Sequence, residues 1–284
     1  MINRLKSVLM SHPKYSFVSK EKIQKEWENL NYLSPPNYIK ANKEFDLLVE
    51  LIKSFGIDIH FIKKNDDLSL DSLYVRDSSI ITNHGAIICR MGKKLRQKEP
   101  KSIKNFYIKN NIPILGEINS PGMIEGGDVI WIDHKTIAIG EGYRTNIHGI
   151  NQIKKMLSGF NIKIITVPLP HWKGPDECLH LMSLISPIDT DLYVVYKKLL
   201  PVSFINLLIN KNIELIDVPE KEYDSMACNI LAISPRVCVM LKNNPITKNI
   251  LNEKNVKVFE FSGNDISIKG SGGPTCLTRP LYRY

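Results

Sequence analysis

Apolar and polar positions alternate along this chain in short runs that come in pairs around a polar turn. Four such pairs stand out: SSIITNHGAIICR (78–90), DVIWIDHKTIAIG (128–140), SLISPIDTDLYVVY (183–196) and NILAISPRVCVML (229–241). Period-two runs rich in Ile and Val on either side of Asn, Asp, Gly or Pro predict β-hairpins. A helical pattern follows, as in 146–160 and 246–254, and then a β-branched run: 163–168, 213–219 and 256–261. The hairpin–helix–strand order therefore repeats. At or just before the start of successive units stand Asp77, Asp128, His180, Asn229 and Cys276, spaced 51, 52, 49 and 47 residues apart. A period near fifty residues marks a repeat architecture. Each unit alone would expose an apolar sheet face, so units stacked around one axis would bury it and bring equivalent strand ends together. The run 4–10 is placed to complete the unit that 275–281 begins. No Pro-, Gly- or Ser-rich linker divides the chain, so a single α/β domain over 1–284 is expected. An α/β sandwich with the same rhythm is the competing arrangement.

Composition narrows the class. Hydrophobic residues are 43% and charged residues 24% of 284, ordinary for a globular chain with a large core. The net charge of +9 would suit a nucleic-acid partner, but its Lys residues are dispersed and form no basic stripe interleaved with aromatics. No nucleic-acid partner and no membrane partner are expected, since no apolar run approaches the roughly 18 residues of a span. Pro13 follows the opening basic residues too soon for a secretory signal. Five scattered cysteines without a CxxC favour a reducing, cytoplasmic setting. A P-loop, HExxH and GxSxG are all missing, and GSGG (270–273) does not complete a dinucleotide fingerprint.

Several periodic positions carry chemistry. Cys276 follows three glycines and a proline, a setting that leaves backbone N–H groups near a thiol; a buried core cysteine is the plainer alternative. His180 opens an apolar strand, where it is either a satisfied core residue or a general acid/base. Glu125 and Asp128 bracket two glycines in EGGD, and two carboxylates there would bind a cation. No second His or Cys cluster has ligand spacing, so a guanidinium suits them better than a metal. Asp77 precedes a strand, Arg96 and Arg144 could hold a substrate carboxylate, and the segment 91–98, with Gly92 and four basic residues, could close as a lid.

In order, the chain presents YVRD, then Arg96 to Glu99, EGGDV, EGYRTN, HLMS and a terminal TC. That pattern resembles the dimethylarginine dimethylaminohydrolases, in the superfamily that also holds arginine deiminases and arginine amidinotransferases, over about residues 8–281. The resemblance implies a five-bladed, pseudo-symmetric α/β propeller (the pentein fold). It implies Cys276 as nucleophile, His180 as general acid/base, Glu125 as catalytic carboxylate and Asp77 as guanidinium-binding carboxylate. Asp71, Arg96 and Arg144 fall at positions that hold the amino-acid end of the substrate, and Asp128 is expected beside them. Arg76 before Asp77 is shared with amidinotransferase-like members. Met182, two residues after His180, stands where arginine deiminases carry an aspartate, which points away from free arginine.

The expected activity is hydrolysis of a C–N bond in an N-substituted guanidino compound such as dimethylarginine, through a covalent cysteine adduct, without metal or cofactor. The partner is then a small guanidino substrate, and a homodimer is compatible with everything above. Arginine deiminase and amidinotransferase activities are the enzymatic rivals. A ribosome-binding propeller without catalysis is the non-enzymatic one.

Overall fold

The structure is a computed structural model describing residues 2–284. Among these residues the strands form five separate three-stranded sheets. Four sheets have one plan: an antiparallel hairpin, a crossover helix, and a third strand parallel to the second. The first pairs Ser79–Thr82 with Gly85–Ile88, crosses through Glu99–Lys109 and adds Ile114–Glu117. The second runs Val129–Asp133, Thr136–Glu141, helix Ile147–Leu157 and Lys163–Pro168. The third and fourth repeat this over residues 185–217 and 231–261. The expected hairpins, both named helices and all three named strands are therefore present, within a residue or two at most ends and up to three where a helix finishes.

Local chemistry explains the elements. Asn146 caps its helix by accepting from Gly149 N, and Ile150, Ile153 and Leu157 lie on one buried stripe. Leu192–Val195 is buried at all four positions, as expected for a strand covered on both faces. The fifth sheet closes the ring with both chain ends: Leu5–Met10 lies antiparallel to Arg279–Arg283 and parallel to Asp58–Phe61. Arg4 and Tyr284 exchange two backbone hydrogen bonds of 3.1 Å.

Two details differ from the sequence reading. The last unit's strand begins at Arg279, not near 275, because residues 273–278 form a turn. Leu277 N donates to Gly273 O at 3.1 Å, and Thr278 Oγ1 donates to Pro274 O at 2.8 Å. The crossover helix of the fifth unit, Tyr38–Ser54, was not singled out in advance. It is capped by Asn37 and buries Ala41, Phe45, Leu48, Val49 and Ile52. Among the described residues, no helix is long and apolar enough to cross a membrane.

Candidate active site

The five-fold plan places equivalent segments together. Asp77 sits two residues before its strand, Glu125 caps the single turn Gly126–Asp128, and His180 caps the single turn Leu181–Ser183. Asn229 and Cys276 precede the last two inner strands. A cleft of about 380 Å³ opens at this end of the axis, lined by Asp71, Asp77, Arg96, Arg144, Cys178, His180, Asn229 and Cys276 among others.

Glu125 is fully buried and does not line the cleft. Its Oε2 accepts from His180 Nε2 at 2.8 Å and from Arg144 Nη1 at 3.3 Å. Its Oε1 accepts from the backbone N–H groups of Gly92 and Lys93 at 2.9 and 3.2 Å. Burial opposes its charge, but the His180 hydrogen bond and Arg144 outweigh that and hold the carboxyl far below the usual carboxylate range. The expectation that Glu125 itself grips a guanidinium is therefore corrected: its acceptor sites are filled, and it orients His180. Gly127 is required beside it, because a Cβ there would sit 2.5 Å from His180 Nδ1 and 2.7 Å from Asp77 Oδ1.

His180 keeps Nδ1 toward Cys178 Sγ and Asp77 Oδ1, each at 3.7 Å. Burial pulls its pKa down; the charges of Cys178, Asp77 and Asp128 more than compensate and hold it well above the ordinary histidine value. Asp77 accepts from Gly127 N at 3.0 Å and from Arg96 Nη1 at 2.6 Å, and still faces the cleft. Cys276 is half-buried. Asn229 Nδ2 donates to its sulfur at 3.4 Å, while Asn229 Oδ1 accepts from Thr275 N and Thr275 Oγ1 at 3.0 and 2.8 Å. Asn229 thus fixes the turn that carries the thiol. The sequence placed it in the periodic row but gave it no task.

Other expected residues are used differently. Asp128 is buried beneath the cleft, with Oδ2 accepting from Thr145 Oγ1 at 2.6 Å and Oδ1 from Leu181 N at 2.9 Å. It braces the His180 turn and has no surface on the cleft. Arg96 donates to Glu99, Asp77 and the Tyr74 carbonyl, at 2.6 to 2.8 Å, so little of its guanidinium is left for a substrate carboxylate. Asp71 is held by Lys93 Nζ at 2.7 Å. Arg144 makes one long bond to Glu125 and keeps the rest of its guanidinium toward the cleft. The segment 91–98, expected as a candidate lid, is here tied down through Gly92, Lys93 and the buried Arg96 and contributes Lys93 and Arg96 to the cleft wall. Met182 lines a separate cavity on the other side of Arg76 and Thr275 and is not part of the cleft wall. Cys178, counted earlier only among scattered cysteines, is the residue the sequence reading missed. Its position two residues before His180 in ECLHLMS was the available signal.

Asp77, Glu125 and His180 offer ligand atoms within 4.8 Å of one another, enough in number for a metal. Their donors are already committed, and Arg96 and Arg144 are bonded to the same carboxylates. A cation would meet two guanidiniums there, so the donor set does not suit one.

Against known proteins, residues 15–283 match the family model described as N,N dimethylarginine dimethylhydrolase, eukaryotic. The chain belongs to that family. An uncharacterised protein, YkgA of Bacillus subtilis (strain 168), is 27% identical over 282 residues, covering 98% of this chain and 92% of YkgA. The arginine deiminase of Staphylococcus aureus (strain MRSA252) is 25% identical over 258 residues, 74% of this chain but 61% of the deiminase. Among solved structures, the dimethylarginine hydrolase (DDAH) of Pseudomonas aeruginosa, a mutant complexed with citrulline, superposes with TM-score 0.79 at 21% identity, covering 99% of this chain and 100% of that one. The N-terminal domain of ArgZ, a cyanobacterial arginine dihydrolase bound to product, gives TM-score 0.81 at 19% identity over 98% and 97% of the two chains. These superpositions bear out the five-bladed α/β propeller. Membership of the dimethylarginine hydrolase family makes the chain a hydrolase of C–N bonds in guanidino compounds, working through a cysteine nucleophile.

Proposed function

We propose that the chain hydrolyses an N-substituted guanidino amino acid of the dimethylarginine type to a ureido amino acid and an amine, with Cys276 as nucleophile and His180 as acid/base. The observation that carries this is one cleft in which Cys276, His180 and Asp77 share a wall while Glu125 is buried behind His180. Asp77 pairs with the guanidinium and sets its carbon near sulfur. The Cys276 thiolate attacks that carbon and forms the C–S bond. His180 gives its proton to the departing amine as the C–N bond breaks. His180 then takes a proton from water, the hydroxyl adds to the same carbon, and the C–S bond breaks to restore the thiolate. Arg144, with most of its guanidinium free toward the cleft, receives the substrate carboxylate.

Preference for substituted substrates rests on Asp77, not on Met182, which faces elsewhere. Each Asp77 oxygen already accepts one bond, so it has room for few of the five N–H donors of free arginine. Two N-methyl groups remove two donors that would otherwise be buried unmet at about 1–3 kcal/mol each. Dimethylarginine is accordingly expected to exceed arginine in kcat/KM by about tenfold or more. The test is turnover on arginine, mono- and dimethylarginine and other guanidino acids, with ureido product detected. Similarity to arginine deiminase supports a second reading, ammonia release from free arginine. Equal efficiency on arginine and dimethylarginine would favour it.

A further inference from the structure

The axis carries a second cavity, about 460 Å³, that runs beside the inner strands toward the hairpin turns, away from the cleft. The first strand of every unit contributes to its wall. Three arginines line it, Arg76, Arg279 and Arg283, and no Asp or Glu does. None of the three makes a salt bridge among the described residues; the acceptors they have are carbonyls. Arg76 Nε donates to Thr275 O at 2.8 Å, Arg279 Nη2 to Arg76 O, and Arg283 to Asn3 O and Ala232 O at 2.8 and 2.7 Å. Arg76 Nη1 and Nη2 have no protein acceptor among the described residues. Arg279 is 6% exposed and its Nε is buried without a partner. Buried charge is ordinarily paired, and a buried donor without a partner calls for an explanation. The rest of the wall is mixed, with apolar Ile80, Trp131 and Ile230 beside polar Asn3, Thr82, Asn83 and His134.

We propose that this cavity binds a small anionic molecule whose phosphate or carboxylate head is held by Arg76 and Arg279, with Arg283 nearer the rim. Guanidinium forks suit planar or tetrahedral oxyanions, and the volume suits a small organic anion. Burial and the neighbouring Arg279 disfavour the charge on Arg76, and an anion between them relieves both. Arg76 N also donates to Cys276 O at 3.2 Å, so the wall of this cavity adjoins the turn that holds the thiol.

The test is calorimetric titration of the whole protein with inorganic phosphate, and separately with succinate, at fixed ionic strength in chloride. One-to-one saturable binding is expected with at least one of them, the tighter identifying the head group. Arg283→Gln, chosen because its side chain is only part-buried, should weaken that binding about tenfold, and Arg76→Gln at least as much. Arg144→Gln in the cleft should leave it within about twofold. Thermal melts of each variant check folding, and Arg283→Gln alone decides the matter if Arg76→Gln does not fold. Absence of saturation for both anions up to about 10 mM would overturn the proposal. Unchanged affinity in Arg283→Gln would also overturn it, as would loss of binding in Arg144→Gln, which would put the anion in the cleft.

Discussion

Cys276 and Cys178 open onto the same cleft, and their surroundings pull the two thiols in opposite directions. Burial, then Asp77 and Cys178, push the Cys276 thiol up. Burial also opposes ionisation of Cys178, but His180 and Arg144 overcome it and bring that thiol below its usual value. On the proposed mechanism, a guanidinium cation held by Asp77 would offset the charge that restrains Cys276, so Cys276 is expected to ionise mainly with substrate present. Cys276→Ser is expected to abolish turnover. Cys178→Ser should lower kcat/KM less than about tenfold. It should also move both limbs of the pH profile to lower pH: the ascending limb because Cys178 no longer restrains Cys276, the descending limb because His180 loses a partner that keeps it protonated. Opposite movement of the limbs, or none, would contradict this electrostatic account. Glu125→Gln removes the charge from a buried pair and should cost about 3–5 kcal/mol in denaturant titration. The folded Glu125 pKa is depressed, so its contribution is complete above the ordinary value of 4.5 and fades as pH falls through the lower folded value. The gap between wild type and variant should therefore be flat from neutrality to about pH 5 and narrow only in stronger acid.

At the scale of elements, Asp77, Glu125, His180, Asn229 and Cys276 sit on the short turns that lead into the inner strands. Hydrophobic alternation marks such strands clearly, which is why Asp77, His180, Asn229 and Cys276 were legible as a periodic row. The turn itself is less legible. Its direction depends on bonds such as Leu181 N to Asp128 and Thr275 N to Asn229, which join residues 53 and 46 apart. Nothing local in EGGD distinguishes the carboxylate that turns to His180 from the one that braces Leu181. Asn229→Ala should cost about 1–3 kcal/mol by leaving Thr275 unmet in the interior. It should also shift Cys276 alkylation to higher pH, since the Asn229 hydrogen bond favours the thiolate. Unaltered alkylation would mean that Asn229 only supports the turn.

For the whole molecule, the repeat predicted the ring before any contact was known, because five weakly similar units can bury their sheet faces only by stacking. The use of the two ends of the axis was not legible. Met182 and Arg76 stand next to or near His180 and Asp77 in sequence, yet both line the rear cavity. Closure of the ring depends on the terminal strand Arg279–Arg283 beside Leu5–Met10. Deleting residues 279–284 should lower the urea midpoint more than any substitution above, as it opens a sheet edge and breaks the ring. A midpoint equal to wild type would show that closure contributes little.

The most direct test of the central claim is rapid quenching of the protein during turnover of dimethylarginine, followed by mass spectrometry of its peptides. The account predicts an adduct of the substrate, less its amine, on the peptide containing Cys276, absent in Cys276→Ser. Product formation with the adduct on Cys178, or with no adduct and full activity in Cys276→Ser, would contradict it.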